Sequence, residues 1–383
     1  MSTAIGHRSA PRTVTLGFLG RSVAVAADDP APVAWLREFL EPWFDAAPAD
    51  GAAVPGAPEP PTVHLALDPA ACARLERDAR PAAGAPVPCF LLDDRILAYP
   101  RRVTPDGETW IRDTDLDAWY RPGADGVRIL APRDGRGARI ALMRVVRELA
   151  MHHVAAAGGA LLHAGGIVIG GRALLVCGPR RAGKTTLLLR LLAEPDAGYL
   201  ANDRVAVVAG PGRGADARAR GLPTIVALRP GTVTLLPVIE TRLRAWRPDH
   251  WRTLAEETAA PAIAPGTVPT LPVDLSPAQL CALAAVRPAP VAPVAAIVFP
   301  QAGEAVRGVR LERLERDDQR GRLCAGTVGA GLPRRSARGL AIDPAPRRPA
   351  RLDRLDGIPA YAVHLGPDAF RPGAVDPLLE LLA

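Results

Sequence analysis

Residues 172–192 read RALLVCGPRRAGKTTLLLRLL: an apolar run, a loop bounded by Gly178 and Gly183, and a second apolar run opening at Lys184. The first run has the length and glycine boundary of a buried strand, and the second has the pattern of a helix. The loop between them fits G-x-x-x-x-G-K-[ST], the pattern of a phosphate-binding loop. Such a loop needs a strand buried in a sheet behind it and a helix N-terminus in front, which confines this part of the chain to an α/β architecture.

Of the 47 Lys and Arg residues, Lys184 is the one lysine, and Asn202 is the one asparagine. Both amino acids use AA-type codons, which a GC-rich genome purges, and the abundance of Ala, Arg, Gly and Pro agrees with that. A compact ammonium on a flexible stem fits among β- and γ-phosphate oxygens where a planar guanidinium does not. Gly178 and Gly183 permit the backbone angles that turn successive N–H groups inward. Lys184 is then expected to contact the β- and γ-phosphates of ATP, and the Thr185 hydroxyl to ligate Mg²⁺. The expected nucleotide-binding set is Gly178, Arg180, Arg181, Ala182, Gly183, Lys184, Thr185 and Thr186. Arg180 and Arg181 either stabilise charge on a transferring phosphoryl group or face solvent.

The 383 residues are enough for two or three domains, and 48% hydrophobic content is ample for a core. With only 4% aromatics, that core is expected to be mostly Ala, Leu and Val. Residues 1–12 lack the basic-then-apolar pattern of a signal segment, and no apolar run approaches the ~20 residues of a membrane span. Cys72, Cys89, Cys177, Cys281 and Cys324 are scattered, odd in number and without C-x-x-C spacing. This argues against a zinc site and a disulfide framework, so a cytoplasmic setting is the expectation. The net charge of +7 comes from arginines spread along the chain rather than clustered, and no zinc-finger pattern appears, so neither nucleic acid nor membrane is an expected partner.

Residues 13–26 predict two short strands around a Gly-Arg turn, and 31–44 a helix with Trp35, Leu36, Phe39, Leu40 and Trp43 on one face. A Pro/Ala/Gly-rich loop at 47–61 leads to a strand at 62–67, a helix at 69–80 and short strands up to Pro132. The clearest helix of this half is 139–157. Next come a hairpin of 160–169 with 172–177 through Gly170-Gly171, a helix over 184–192, and a strand over 199–208 broken by Asn202-Asp203. Residues 209–222 read as a loop, 223–237 carry strand signal, and 240–256 predict a helix. Pro-rich connectors fall at 258–274 and 287–293. Strands are expected at 294–299, 309–314 and 359–365, and helices at 315–332 and 376–382. Residues 333–350 form an Arg/Pro-rich segment.

A Walker-B element ends an apolar strand in an acid. Strand 294–299 is followed instead by Pro300 and Gln301. The apolar run 198–203 ends in Asn202-Asp203, one helix and one strand after Lys184, and this makes Asp203 the candidate second Mg²⁺ ligand. Taken alone, Asn202-Asp203 also reads as a turn. No LSGGQ-like segment and no N-K-x-D base reader is present, so neither a transport ATPase nor a GTPase is indicated. His163 stands alone among apolar residues in LLHAGG, as either a satisfied core residue or a proton acceptor. His152 and His153 face different directions on a helix without a third ligand and read as structural.

Together, His163 to Gly166 (His-Ala-x-Gly), the loop from Gly178 to Thr186, and Asn202-Asp203 resemble the HPr kinase/phosphorylase-like family, whose fold is that of phosphoenolpyruvate carboxykinase. The resemblance is sharpest over residues 145–236 and continues through 358–365. The N-terminal region resembles what precedes the kinase module in stand-alone HPr-kinase-related proteins of biosynthetic operons. The resemblance implies an HPr kinase-like P-loop ATP-binding domain over 136–383, and an N-terminal α/β domain over 1–135 that helps bind substrate. The implied activity is ATP–Mg²⁺-dependent transfer of a γ-phosphate to a serine-type hydroxyl of a peptide, small protein or metabolite. A homo-oligomer is also implied. The expected catalytic residues are Asp203, His163, Asn202 and Lys184, and the expected metal ligands Thr185 and Asp203. The family's better-known members have two aspartates where this chain has Asn202-Asp203, and an amide cannot take a proton as a carboxylate does. The base is therefore Asp203 or His163, and the alternative is a catalytically silent ATP-binding regulatory or assembly protein. Arg204 is expected on the opposite strand face from Asp203. The family's phosphorolysis signature is not recognisable, which leaves kinase activity alone.

Overall fold

The structure, a computed structural model, describes residues 12–47, 60–82, 87–92, 95–179, 181–210, 217–245, 273–303, 306–327 and 352–382. It is a mixed α/β chain whose described residues separate into two compact units, one up to Leu149 and the other from Ala150 onward. The division falls inside a long helix, beyond the junction at 135/136 expected from sequence.

The first unit is built on one nine-stranded mixed sheet. Its elements are β1 (Thr13–Phe18), β2 (Arg21–Ala27), α1 (Pro30–Leu40), β3 (Asp45–Ala47), β4 (Thr62–Leu67), α2 (Pro69–Asp78), β5 (Arg80–Pro81), β6 (Val87–Leu92), β7 (Arg95–Tyr99), β8 (Arg101–Val103), β9 (Thr109–Asp113), β10 (Ala118–Gly123) and β11 (Gly126–Ala131). The strand order is β3-β1-β2-β4-β11-β10-β9-β8-β5, with β6 and β7 paired apart from it. Helix α1 starts where the Asp29 carboxylate accepts the Ala31 N–H, and it buries Val33, Trp35, Leu36, Phe39 and Leu40. It ends at Leu40, short of the expected 44, because Glu41 precedes Pro42 and is forced into extended backbone. Trp43 is nonetheless fully buried just beyond the helix.

Helix α3 (Arg136–Ala156) leads to a second sheet, of ten strands. These are β12 (Ala160–Leu162), β13 (Ala164–Ile169), β14 (Arg172–Cys177), β15 (Gly198–Ala201), β16 (Val205–Ala209), β17 (Ala217–Gly221), β20 (Arg287–Pro288), β21 (Val291–Ala302), β22 (Val309–Arg313) and β23 (Ala360–Leu365), while β18 (Val226–Leu228) and β19 (Val273–Leu275) pair separately. The order is β12-β16-β17-β21-β14-β13-β15-β20, with β23 joining β21 to β22. Strand β14 lies between β13, antiparallel, and β21, parallel, so it is paired on both edges. Its core partners include Ala164, Leu200, Val205, Ala219, Ile297 and Phe299, the small aliphatic core that low aromatic content requires.

Two expectations are corrected. Residues 217–221 are a strand, not loop: Ala217, Ala219 and Gly221 point inward and Arg218 and Arg220 outward, a period-2 pattern hidden in Ala/Arg-rich sequence. Residues 230–237 are not strand; α5 (Pro230–Thr234) and α6 (Pro237–Ala245) each start at a proline that suits the first helical turn. A helix without a sequence expectation, α7 (Pro277–Ala284), opens with a capping box between Ser276 and Gln279. Helices α8 (Arg316–Ala325) and α9 (Asp376–Leu379) lie within expected ranges. Residues 333–350 lie outside the described residues, as does the part of the expected 240–256 helix after Ala245. Among the described residues, no helix is long and apolar enough to cross a membrane.

Candidate functional site

Strand β14 carries Ala173, Leu174, Leu175 and Val176 without exposure, so the chain can leave the sheet only at its end. It does so at Gly178, with φ +141°, followed by Arg181 at +66° and Gly183 at +87°. A Cβ on Gly178 would meet only ordinary contacts, with Ala182 and Pro300, so the backbone angle rather than space demands glycine there. Gly183 is the N-cap of α4 (Lys184–Leu191) and supplies no side-chain cap. The first N–H groups of α4 are therefore unanswered by a capping side chain. Arg180 lies outside the described residues; Arg181 is exposed.

Lys184 is 8% exposed. Its ammonium donates to the carbonyl oxygens of Gly178 (2.9 Å) and Pro179 (2.8 Å), so it lies across its own loop. Burial pulls its pKa below the ordinary lysine value, and the negative charge of Asp203 is the strongest opposing influence. Among the described residues no carboxylate forms an ion pair with it. A buried cation held by neutral carbonyls, beside an uncapped helix N-terminus, is suited to an anion with several oxygens.

The opposing wall is the corner between β15 and β16. Residues 202–204 lie between the two strands and belong to neither, so strand alternation does not apply to them. Asp203 Oδ1 lies 2.9 Å from His163 Nε2, and Oδ2 accepts from Arg204 Nη1 at 2.6 Å. Arg204 is thus not directed away from Asp203, as expected, but folds back on its carboxylate and its carbonyl. His163 occupies the break between β12 and β13, where its N–H donates to Gly326 O at 2.8 Å. The glycines after it admit the corner: a Cβ on Gly165 would lie 3.5 Å from the Ala201 and Asn202 carbonyl oxygens, and one on Gly166 only 2.5 Å from Leu200 Cδ2.

Asn202 Oδ1 accepts from Tyr199 Oη (2.7 Å) and Thr224 Oγ1 (3.0 Å). On the loop's other flank, Thr186 Oγ1 meets Thr232 Oγ1 at 3.2 Å. Sequence reasoning missed Tyr199, Thr224 and Thr232. Tyr199 reads as another apolar strand residue, and the two threonines carry no local signal because their partners are 22 and 46 positions away.

The site brings His163, Asp203 and Arg204 into direct contact and sets Asp203 beside Lys184 electrostatically. Thr185 is half-buried in the first turn of α4. Among the described residues no group of three or more His, Cys, Asp or Glu side chains could hold a metal by itself. A hydroxyl and one carboxylate fit Mg²⁺, which is ordinarily held by one or two protein oxygens together with substrate phosphates and water. His152 and His153 are on α3 and join no such group. No protein-family model matches the chain, and no curated protein matches it.

Proposed function

We propose that this chain is an ATP–Mg²⁺-dependent kinase with an HPr kinase/phosphoenolpyruvate carboxykinase-like nucleotide-binding domain, acting on a serine-type hydroxyl of a peptide, small protein or metabolite. The observation that carries this reading is the buried Lys184, whose ammonium is held by the Gly178 and Pro179 carbonyls, with the His163-bonded Asp203 as its chief opposing charge. Lys184 would exchange the two carbonyls for phosphate oxygens. The loop amides and the start of α4 would hold the remaining oxygens, and Thr185 and Asp203 would hold Mg²⁺, which supplies charge neutralisation. The acceptor oxygen would bond to the γ-phosphorus as the bond from that phosphorus to the β–γ bridging oxygen breaks, with ADP leaving. The acceptor's proton passes to the His163–Asp203 pair. Phosphoryl transfer draws mostly on positioning and charge stabilisation, so a single carboxylate in place of two is compatible with turnover.

One observation favours the alternative of a silent nucleotide-binding protein. Both oxygens of Asp203 are engaged, by His163 and by Arg204, so a metal would share the carboxylate with these partners.

The test is incubation with γ-labelled ATP and Mg²⁺ against serine-containing peptides and candidate proteins, with ATP affinity measured in parallel. Lys184→Ala is expected to abolish transfer and weaken ATP binding. Asp203→Ala is expected to lower Mg²⁺-dependent turnover by roughly 100-fold or more while leaving nucleotide affinity largely intact. Near-full turnover in Asp203→Ala would remove Asp203 from the mechanism. ATP binding with neither transfer nor hydrolysis would favour the silent reading.

A further inference from the structure

We propose that Asn202 is a positioning residue, with Tyr199 and Thr224 as its partners, whose amide clasps the chain at 222–225 to the end of β15 and so presents Asp203 to His163. The geometry rests on the hydrogen bonds alone; the catalytic consequence rests on the kinase reading above.

An amide oxygen has two acceptor sites, and in Asn202 both are taken by hydroxyls, from Tyr199 and Thr224. Its Nδ2 donates to Ile225 O at 3.4 Å. Tyr199 is fully buried and Thr224 is 4% exposed, so removing Asn202 takes away the shared acceptor of two buried hydroxyls. The adjoining chain is tied at the same point, since Leu222 N–H donates to Arg204 O at 3.0 Å. The corner 202–204 is therefore held on both sides of Asp203 by the 222–225 segment.

An amide oxygen committed in this way is not available to accept from an acceptor hydroxyl. That task falls to the next residue, Asp203, whose Oδ1 meets His163. A carboxylate at position 202 would still accept from both hydroxyls but would set oxygen against the Ile225 carbonyl. This is a physical reason for an amide rather than an acid at this position.

The test compares the full-length protein with Asn202→Ala, Asn202→Asp, Thr224→Val and the Asn202→Ala/Thr224→Val double variant. Deuterium exchange is followed over peptides covering 199–206 and 220–228. Turnover with ATP and Mg²⁺ is followed as kcat and KM. Thr224→Val, which touches no reacting group, is expected to speed exchange in both peptides and to lower kcat roughly tenfold with KM for ATP unchanged. The double variant is expected to be no worse than Asn202→Ala, because both changes open one clasp. Asn202→Asp is expected to lower kcat as well.

Unchanged exchange in Thr224→Val, additive losses in the double variant, or a gain of rate in Asn202→Asp would each overturn the proposal. If Asn202→Ala does not fold, the isosteric Thr224→Val still decides the matter. If the wild type neither transfers nor hydrolyses phosphate, the kinase reading fails, and coupled exchange of the two peptides alone supports or overturns the clasp.

Discussion

Lys184 is a charge buried at the expense of stability. Its pKa in the folded protein is lowered from 10.5, chiefly by burial. Below the folded value the lysine is charged in both states, and the folded state bears the full desolvation cost. Between the folded value and 10.5 the unfolded chain binds more protons, so stability rises with pH across that window. We therefore expect the wild type to gain stability relative to Lys184→Met as pH rises toward 10.5, measured by denaturant melts without nucleotide. Parallel curves across that range would show that burial at Lys184 carries no such cost. The lone lysine was legible in the sequence because a motif names it. Its carbonyl partners were not, because they depend on the left-handed turn at Arg181 as well as on the two glycines.

At the scale of elements, local chemistry decides where helices begin. Helix α7 opens with Ser276 accepting the Gln279 N–H at 3.1 Å, while the Gln279 side chain accepts the Ser276 N–H at 2.8 Å. Both residues are buried, so water cannot replace either bond. Ser276→Ala is expected to cost about 1 kcal/mol, and up to about 2 kcal/mol because the cap is buried, read as a shift of the denaturation midpoint with unchanged slope. The S-x-x-Q signature was present in the sequence at 276–279, yet the proline-rich surroundings masked it. Strand β17 is the converse case. Its Ala/Arg alternation is legible only once β16 and β21 are known to flank it, since alanine and arginine have little strand preference of their own.

At the scale of the molecule, each unit has its own core and its own buried thiols. Cys72 in the first unit is pushed up to about 11 by burial, and Cys177 and Cys281 in the second to about 12. Thiolate is the reactive form, so these three should resist alkylation at neutral pH until their unit unfolds, whereas the exposed Cys324 should react at once. In a Cys89→Ser background, pulse alkylation along a thermal ramp then reads the two units separately. ATP with Mg²⁺ is expected to delay labelling of Cys177 and Cys281 without delaying Cys72, and Lys184→Ala should abolish that delay. Equal delay at all three would show that the two units do not unfold independently.

What the sequence determined by itself was whatever depends on neighbours along the chain: the strand–loop–helix around Lys184, the caps and prolines that start helices, and the period of the apolar runs. The tertiary structure alone decided the partners of Asp203 and Asn202. His163 lies 40 residues from Asp203, and Thr224 lies 22 from Asn202. Hydrogen bonds across such separations depend on strand pairing in the sheet, where β15 lies against β13 and β16 against β12, and no local pattern encodes that choice.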